Sequence, residues 1–236
     1  EALRQALRDD TQLVSIMHVN NETGVVQDID AIGQLCRERD ILFHTDAAQS
    51  AGKLPLDVEK LPVDLLSLTA HKFYGPQGVG ALYVADRNGC GISPLQHGGA
   101  QERHLRAGTE PVALIAGFGR AAELAAQQMD DDALHVNTLH DLLWARLQQV
   151  PDIRRNGSAD AHYPGILNVS VDDVEGESLM MACKEIAMSS GSACTSASLE
   201  PSYVLKGLGV GDDLAHSSLR ISMGRWTTEE EVDFAR

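Results

Sequence analysis

The chain has 236 residues, of which 43% are hydrophobic and 22% charged, a composition typical of a soluble globular protein that can bury its own core. Acidic residues outnumber basic ones by 34 to 19, and the formal net charge of −15 argues against a general nucleic-acid binder because phosphates repel such a surface. The apolar runs are too short to cross a bilayer and no signal-peptide pattern opens the chain, so we expect a cytoplasmic protein without membrane contact.

The first half of the chain alternates short apolar segments with helical ones. The candidate strands are residues 13–17, 41–45, 64–69 and 81–85. Between the first two, Asp28 is placed to cap a helical stretch whose apolar residues recur at helical spacing. This alternation predicts an α/β fold with a mostly parallel sheet.

The second half has a different pattern. Residues 110–149 predict two long helices separated by an acidic joint at residues 130–132, and Pro151 marks a boundary. Further elements are predicted as strands at 166–171 and 218–223, and as helices at 176–187, after Pro201 and after Thr227 or Thr228. We therefore expect part of a large α/β domain over residues 1–125 and a small α+β domain over residues 126–236.

Polar side chains follow three of the predicted strands directly. They are Asn20 and Asn21 after the first, Asp46 and Gln49 after the second, and His71 and Lys72 after the third. In open α/β sheets ligands bind beyond the carboxyl ends of the strands, where a desolvated lysine can form a Schiff base and a carboxylate can hold a pyridine nitrogen protonated. The alternatives are structural: a carboxylate that caps a helix, a solvated lysine and a structural histidine.

Three other features could serve a catalytic site. Cys194 lies among small residues in SSGSACTSAS, either as a nucleophile on a mobile loop or as a small residue in a packed turn. The segment HGGAQERHLRAGT holds Arg103 and Arg106, which favour an anion or a subunit contact. Arg220 lies inside the apolar strand SLRISM, where it needs either a substrate carboxylate or an internal acid as its partner.

Six segments occur in an order that is specific: VNNETG, HTDAAQSAGK, SLTAHKFYGPQGVGALY, HGGAQERHLRAGT, SSGSACTSASLEPSYVLKGLG and HSSLRISMGR. Together they resemble the pyridoxal-phosphate-dependent cysteine desulfurases of the NifS/IscS-like group, most closely those of housekeeping iron–sulfur cluster assembly. The resemblance covers essentially the whole chain. It implies the fold of type I pyridoxal-phosphate-dependent transferases and a homodimer.

The resemblance also implies the residues that contact pyridoxal 5'-phosphate. Lys72 would form the Schiff base, Asp46 would face the pyridine nitrogen, Gln49 would bond the phenolic oxygen, Thr69 and His71 would bind the phosphate, Asn21 would line the site, and Thr109 would reach the phosphate bound in the partner subunit. No resident metal is implied.

For the substrate L-cysteine, the resemblance implies that Asn21 and Arg220 hold the carboxylate and that Cys194 takes the sulfur as a persulfide, leaving L-alanine. The sulfur would pass to an iron–sulfur scaffold protein, with at most a transient contact of Cys194 to iron–sulfur, or to acceptors in thio-cofactor synthesis and tRNA thiolation. Direct contact with nucleic acid is not expected.

The chain departs from the family pattern at several positions. Thr69 and Ala70 replace a usual Ser and Gly, and His104 and Ala107 replace a usual Gly and Ser. The family also has a segment before the position of Glu1 that contributes a phosphate-binding helix start and a histidine over the cofactor ring, so we expect a chain truncated at both ends. Two alternatives stay open: a selenocysteine lyase of the same fold, and a non-catalytic remnant that binds partners.

Overall fold

The computed structural model describes residues 1–86, 91–190 and 201–235. The chain forms two compact units: the first contains Glu1–His18 and Asp28–Met129, and the second contains Val19–Gln27 and Asp130–Arg236. The division into domains at 1–125 and 126–236 stays a prediction, and the compact units divide the chain near residue 130. In the described ranges every helix is too short or too polar to span a membrane.

The first unit is built on a four-stranded sheet in the order β1-β2-β3-β4. Its strands are β1 (Leu13–Met17), β2 (Leu42–Asp46), β3 (Leu65–Thr69) and β4 (Gly80–Val84). The first three strands are parallel and β4 is antiparallel, which confirms the predicted mostly parallel sheet. Because Asp46 of β2 pairs in register with Ser67 of β3, the carboxyl ends of these two strands lie side by side.

Two helices precede strands of this sheet: α1 (Ala2–Ala6) comes before β1, and α2 (Ile29–Glu38) comes before β2. Asp28 caps α2 as predicted, accepting a hydrogen bond of 3.0 Å from the Ala31 amide. Buried Ile29 and Cys36 of α2 pack in the core that contains Phe43 of β2. This packing fixes the strand that carries Asp46 at its end.

A single helix, α3 (Val112–Leu147), replaces the two helices predicted for residues 110–149. The predicted break at residues 130–132 was wrong because aspartate lowers helix propensity only modestly and no Gly or Pro occurs after Gly119 in the helix. One aspartate of the joint is also stabilised: Asp132 accepts hydrogen bonds of 2.6–3.0 Å from Arg225.

The second unit contains a three-stranded antiparallel sheet in the order β5-β6-β7. The strands are β5 (Ile153–Arg155), β6 (Ile166–Val171) and β7 (Ser218–Ser222). Its helices are α4 (Gly176–Ala182), α5 (Tyr203–Gly207), α6 (Asp212–His216) and α7 (Glu229–Phe234). Leu139 and Leu143 of α3 pack with Leu167 of β6 and Leu219 of β7 in its core.

Two details of this unit refine the sequence predictions. Helix α4 ends five residues before the predicted position 187, because a turn follows at residues 184–185 and Ser189 then pairs with Arg220 of β7. The N-cap of α7 is Thr228 rather than Thr227, and Thr228 forms a reciprocal capping box with Glu231.

Candidate active site

Asp46 is the last residue of β2, and its exposed carboxylate lies at the end of the sheet. One of its oxygens, Oδ1, accepts a hydrogen bond of 2.8 Å from the Ala48 amide. The residues after β2 form turns and no helix, so this bond closes a turn and Asp46 is not the helix-capping carboxylate offered as the structural alternative. Asp46 occupies one carboxylate oxygen in this bond and leaves Oδ2 for a second partner.

Lys72 and His71 lie directly after β3. The strand ends at Thr69, and the next four residues, Ala70–Phe73, form a 3-10 turn whose Ala70 and Phe73 side chains are buried. His71 and Lys72 are exposed between these two anchors, so their imidazole and amine are presented at the carboxyl end of the sheet. The Thr69 hydroxyl donates to the Val79 carbonyl oxygen at 3.4 Å.

Lys53 is a second amine near this sheet edge, and sequence reasoning missed it. Its side chain is half-buried, and its Nζ donates a hydrogen bond of 3.2 Å to Oε1 of Gln49. Burial, and next the charge of Lys72, lower the pKa of Lys53 to about 8. Lys72 itself is exposed in the described chain, and its role as the amine that forms a Schiff base stays a prediction.

Asn21 and Arg220 come together in the second unit. Arg220 is half-buried in β7, and its Nη1 donates a hydrogen bond of 2.9 Å to the main-chain carbonyl oxygen of Asn21. Among residues 1–86, 91–190 and 201–235, no carboxylate pairs with Arg220, and its buried Nε has no hydrogen-bond partner there. The internal ion pair offered as the alternative for Arg220 is thus not found in the described chain.

The turn that presents Asn21 is held by its neighbours. The side-chain oxygen of Asn20 accepts hydrogen bonds of 2.9 Å from the amides of Glu22 and Thr23. Gly24 follows with a φ of +73°, and a Cβ at this position would lie 2.9 Å from the Ile166 carbonyl oxygen. This turn therefore needs both the short Asn20 side chain and a glycine.

Glu22 is a further residue that the sequence interpretation did not single out. Its side chain is only 1% exposed, and its Oε2 accepts a hydrogen bond of 2.5 Å from the Ser202 hydroxyl. Ser202 in turn caps α5 by accepting from the amides of Val204 and Leu205. The only signal in the sequence is that Glu22 lies in NNETG, between two asparagines and a glycine turn. A solvated carboxylate is the ordinary expectation for an acidic residue in such a turn.

Cys194 and Thr109 are the two other site residues predicted from the sequence. Cys194 lies in residues 191–200, outside the described residues. Thr109 is exposed just before α3. In the neighbouring loop, Arg106 donates from Nη1 to the Ala107 carbonyl oxygen at 2.9 Å, so one guanidinium N–H that was predicted to favour an anion is used locally.

Residues 1–234 match the class-V aminotransferase family. The chain belongs to this family. The match spans both compact units and confirms the type I fold of pyridoxal-phosphate-dependent enzymes that the sequence resemblance implied. Homologues in this family depend on pyridoxal phosphate.

Curated relatives of the chain are cysteine desulfurases. It is 57% identical over 234 residues to cysteine desulfurase IscS of Serratia proteamaculans, covering 99% of this chain and 58% of the relative. It is 58% identical over 233 residues to the same enzyme of Proteus mirabilis, again covering 58% of the relative. The chain therefore spans less than two thirds of the length of these relatives.

Solved structures agree with this assignment. A NifS-like protein from Rickettsia africae superposes with a TM-score of 0.87 at 31% identity, covering 98% of this chain and 61% of that one. SspA in complex with cysteine superposes with a TM-score of 0.78 at 39% identity, covering 96% of this chain and 63% of that one. Both structures superpose over nearly the whole of this chain and share its fold.

Proposed function

We propose that this chain is part of a pyridoxal-phosphate-dependent cysteine desulfurase, which takes sulfur from L-cysteine and releases L-alanine. The observation that carries the proposal is the set of groups at the adjoining ends of β2 and β3. Asp46 ends β2, Gln49 lies in the turn that follows it, and Lys72 lies just after β3, the strand that pairs with β2. This edge of the sheet is where open α/β sheets bind their ligands.

The residues at this edge fit the cofactor by their chemistry. Asp46 has one carboxylate oxygen left to accept from a protonated pyridine nitrogen, and Gln49 offers its amide to a phenolic oxygen. Thr69 and His71 supply a hydroxyl and an imidazole for a phosphate, and exposed Lys72 is free to form the covalent link.

When bound, pyridoxal phosphate supplies an electron sink for charge that develops at the substrate Cα. The protein groups direct that chemistry. Asp46 keeps the ring nitrogen protonated by holding a negative charge beside it. The amine of Lys72 would be the base that takes the proton from the substrate Cα at its Nζ.

Arg220 and Asn21 are proposed to bind the substrate carboxylate. The Asn21 carbonyl oxygen engages Nη1 of Arg220, while Nε is buried without a described partner. A carboxylate accepts paired hydrogen bonds from the fork of a guanidinium, so it would satisfy the free edge of this side chain. The side-chain amide of Asn21 would add a further donor.

Cys194 is proposed to complete the sulfur transfer. Its thiolate attacks the sulfur of the bound cysteine, and the bond from that sulfur to Cβ breaks with its electron pair going to Cβ. Cβ is then protonated, so one cysteine and one enzyme thiol give one alanine and one persulfide. A free thiol has a pKa of about 8.5, so a base must help to form the thiolate near neutral pH.

The remaining parts of the proposal concern the assembly. We infer a cytoplasmic homodimer in which Thr109 of each chain reaches the phosphate bound in the partner subunit. The persulfide sulfur would pass to an iron–sulfur scaffold protein or to other sulfur acceptors. The support for this part is the sequence resemblance and the desulfurase relatives.

A turnover assay on the full-length protein tests the function. With pyridoxal phosphate and L-cysteine, we expect equal amounts of alanine and of sulfide released by a thiol reductant. Much faster release of selenium from selenocysteine, with little alanine from cysteine, would favour a selenocysteine lyase instead. A protein that stays colourless with pyridoxal phosphate and forms no alanine would favour a non-catalytic, partner-binding module.

A further inference from the structure

We propose that Lys53 is a positioning residue of the cofactor site: its ammonium holds the carboxamide oxygen of Gln49, so that the amide NH₂ group of Gln49 faces the phenolic oxygen of the cofactor. This inference rests on the proposed function. It assigns a role in the reaction to a lysine that takes no part in the covalent link.

The geometry that supports the proposal lies within the first unit. Gln49 and Lys53 are four residues apart in the turns that follow β2, where the Lys53 amide donates to the Ser50 carbonyl oxygen. This backbone bond directs the Lys53 side chain back to Gln49, and Nζ lies 3.2 Å from Oε1. Both side chains are half-buried, which limits their competition with water.

The chemistry of the pair determines which way the amide faces. A lysine ammonium has three donors and no acceptor, so it can engage only the oxygen of a carboxamide. The NH₂ group of Gln49 must then point away from Lys53, and it donates to no acceptor among the described residues. A phenolic oxygen is an acceptor, and it would meet this NH₂ group favourably but would be repelled by the amide oxygen.

Two further observations separate Lys53 from a solvated surface lysine. It is half-buried, and it lies close enough to Lys72 that the charge of Lys72 contributes to lowering its pKa to about 8. At neutral pH an amine with this pKa is still mainly protonated and keeps its donor role. Lys60, in contrast, has a side chain that is 85% exposed and pairs with Asp57 on the surface.

The test is a double-mutant cycle on the full-length protein with pyridoxal phosphate. The variants are Lys53→Met, Lys53→Arg, Gln49→Ala and the Lys53→Met/Gln49→Ala double variant, with Lys60→Met as a matched surface control. The readouts are the dissociation constant of pyridoxal phosphate, the wavelength of its visible absorption maximum and the melting temperature of the cofactor-free protein. None of these depends on turnover.

We expect Lys53→Met to weaken cofactor binding roughly two- to tenfold and to shift the absorption maximum, the effect of a misplaced hydrogen bond. Lys53→Arg retains a donor and should restore most of both values, while Lys60→Met should match the parent. In the Gln49→Ala background, Lys53→Met should have no further effect on either value.

Three results would overturn the proposal. The first is a Lys53→Met protein that binds cofactor with the parental affinity and absorption maximum, whatever its melting temperature. The second is an equal effect of Lys53→Met with and without Gln49, since Lys53 would then not act through the amide. The third is a parent protein that never develops a visible band, which removes the proposed function and this inference with it.

Discussion

Arg220 Nη1 donates a hydrogen bond of 2.9 Å to the main-chain carbonyl oxygen of Asn21, a residue 199 positions earlier in the chain. The bond joins strand β7 to the turn that follows β1, and the Asn20 side chain holds that turn through the Glu22 and Thr23 amides. A main-chain carbonyl carries no net charge, so it orients the guanidinium without neutralising it. Arg220 therefore keeps its positive charge for an anion.

Arg220→Ala should weaken binding of L-cysteine by roughly tenfold to a hundredfold, because a charge-assisted contact to a carboxylate is lost. Arg220→Lys should recover little of this affinity, since an ammonium lacks the planar fork. Spectral titration of the cofactor-loaded protein with cysteine gives the affinity, and the melting temperature is recorded on the same samples. A lower melting temperature with unchanged cysteine affinity would show that Arg220 is structural.

Glu22→Ala should destabilise the protein by about 1–3 kcal/mol, because the Ser202 hydroxyl loses a buried acceptor and α5 loses the support of its cap. Glu22→Gln keeps an acceptor oxygen and should cost less. Urea unfolding measures both values, and Glu123→Ala serves as the control because its ion pair with Arg120 is exposed. Equal stability of the Glu22→Ala and Glu123→Ala proteins would argue against this role of Glu22.

Acidification should destabilise the protein partly through His162. Burial, and next the charges of Arg155 and His140, lower the pKa of His162 below its ordinary 6.5, while the main chain of Ala159 and then the charge of Asp141 oppose this shift. Because the folded protein resists protonation of His162, the stability that neutral His162 contributes is present above about pH 6.5 and is lost as the pH falls below it.

The corresponding experiment compares urea unfolding at pH 7.5 and pH 5.5. His162→Gln should lose less stability between the two pH values than the parent, because glutamine does not titrate. His216→Gln, at an exposed position, is the control. An unchanged pH dependence in His162→Gln would exclude His162 as a source of the acid sensitivity.

Cys194→Ser should keep the visible absorbance of the bound cofactor and its response to cysteine, but it should form no persulfide and release no alanine. The reason is that the thiol acts only after the bond from Cβ to sulfur has been weakened. Cys183→Ser is the matched control, since Cys183 is a half-buried free thiol outside the proposed site. Parental release of sulfide by the Cys194→Ser protein would disprove the role of Cys194.

Local pattern was enough to predict the sheet of the first unit. Each strand is a short, mainly apolar run, β2 and β3 end in the polar residues Asp46 and Thr69, and Asp28 marks the start of α2 with a side chain that can cap it. The placement of Asp46 and Lys72 at neighbouring strand ends follows from this order alone. The groups of the proposed cofactor site could therefore be named from the sequence.

The residues that sequence reasoning missed depend on contacts across the fold. Nothing in the sequence shows that Glu22 is buried, since its partner Ser202 lies 180 positions away. Lys53 has the appearance of a surface lysine until the turns after β2 fold back on Gln49. The joint predicted within α3 failed for the same reason, because Asp132 finds its partner in Arg225, 93 positions later.

The central claim is that Lys72 carries pyridoxal phosphate. The most direct measurement is borohydride reduction of the cofactor-loaded protein, followed by proteolysis and mapping of the labelled peptide. We predict that the label lies on Lys72 alone and that Lys72→Ala removes it. Label on Lys53, the half-buried amine whose pKa is lowered to about 8, or on any other lysine in place of Lys72, would contradict the account.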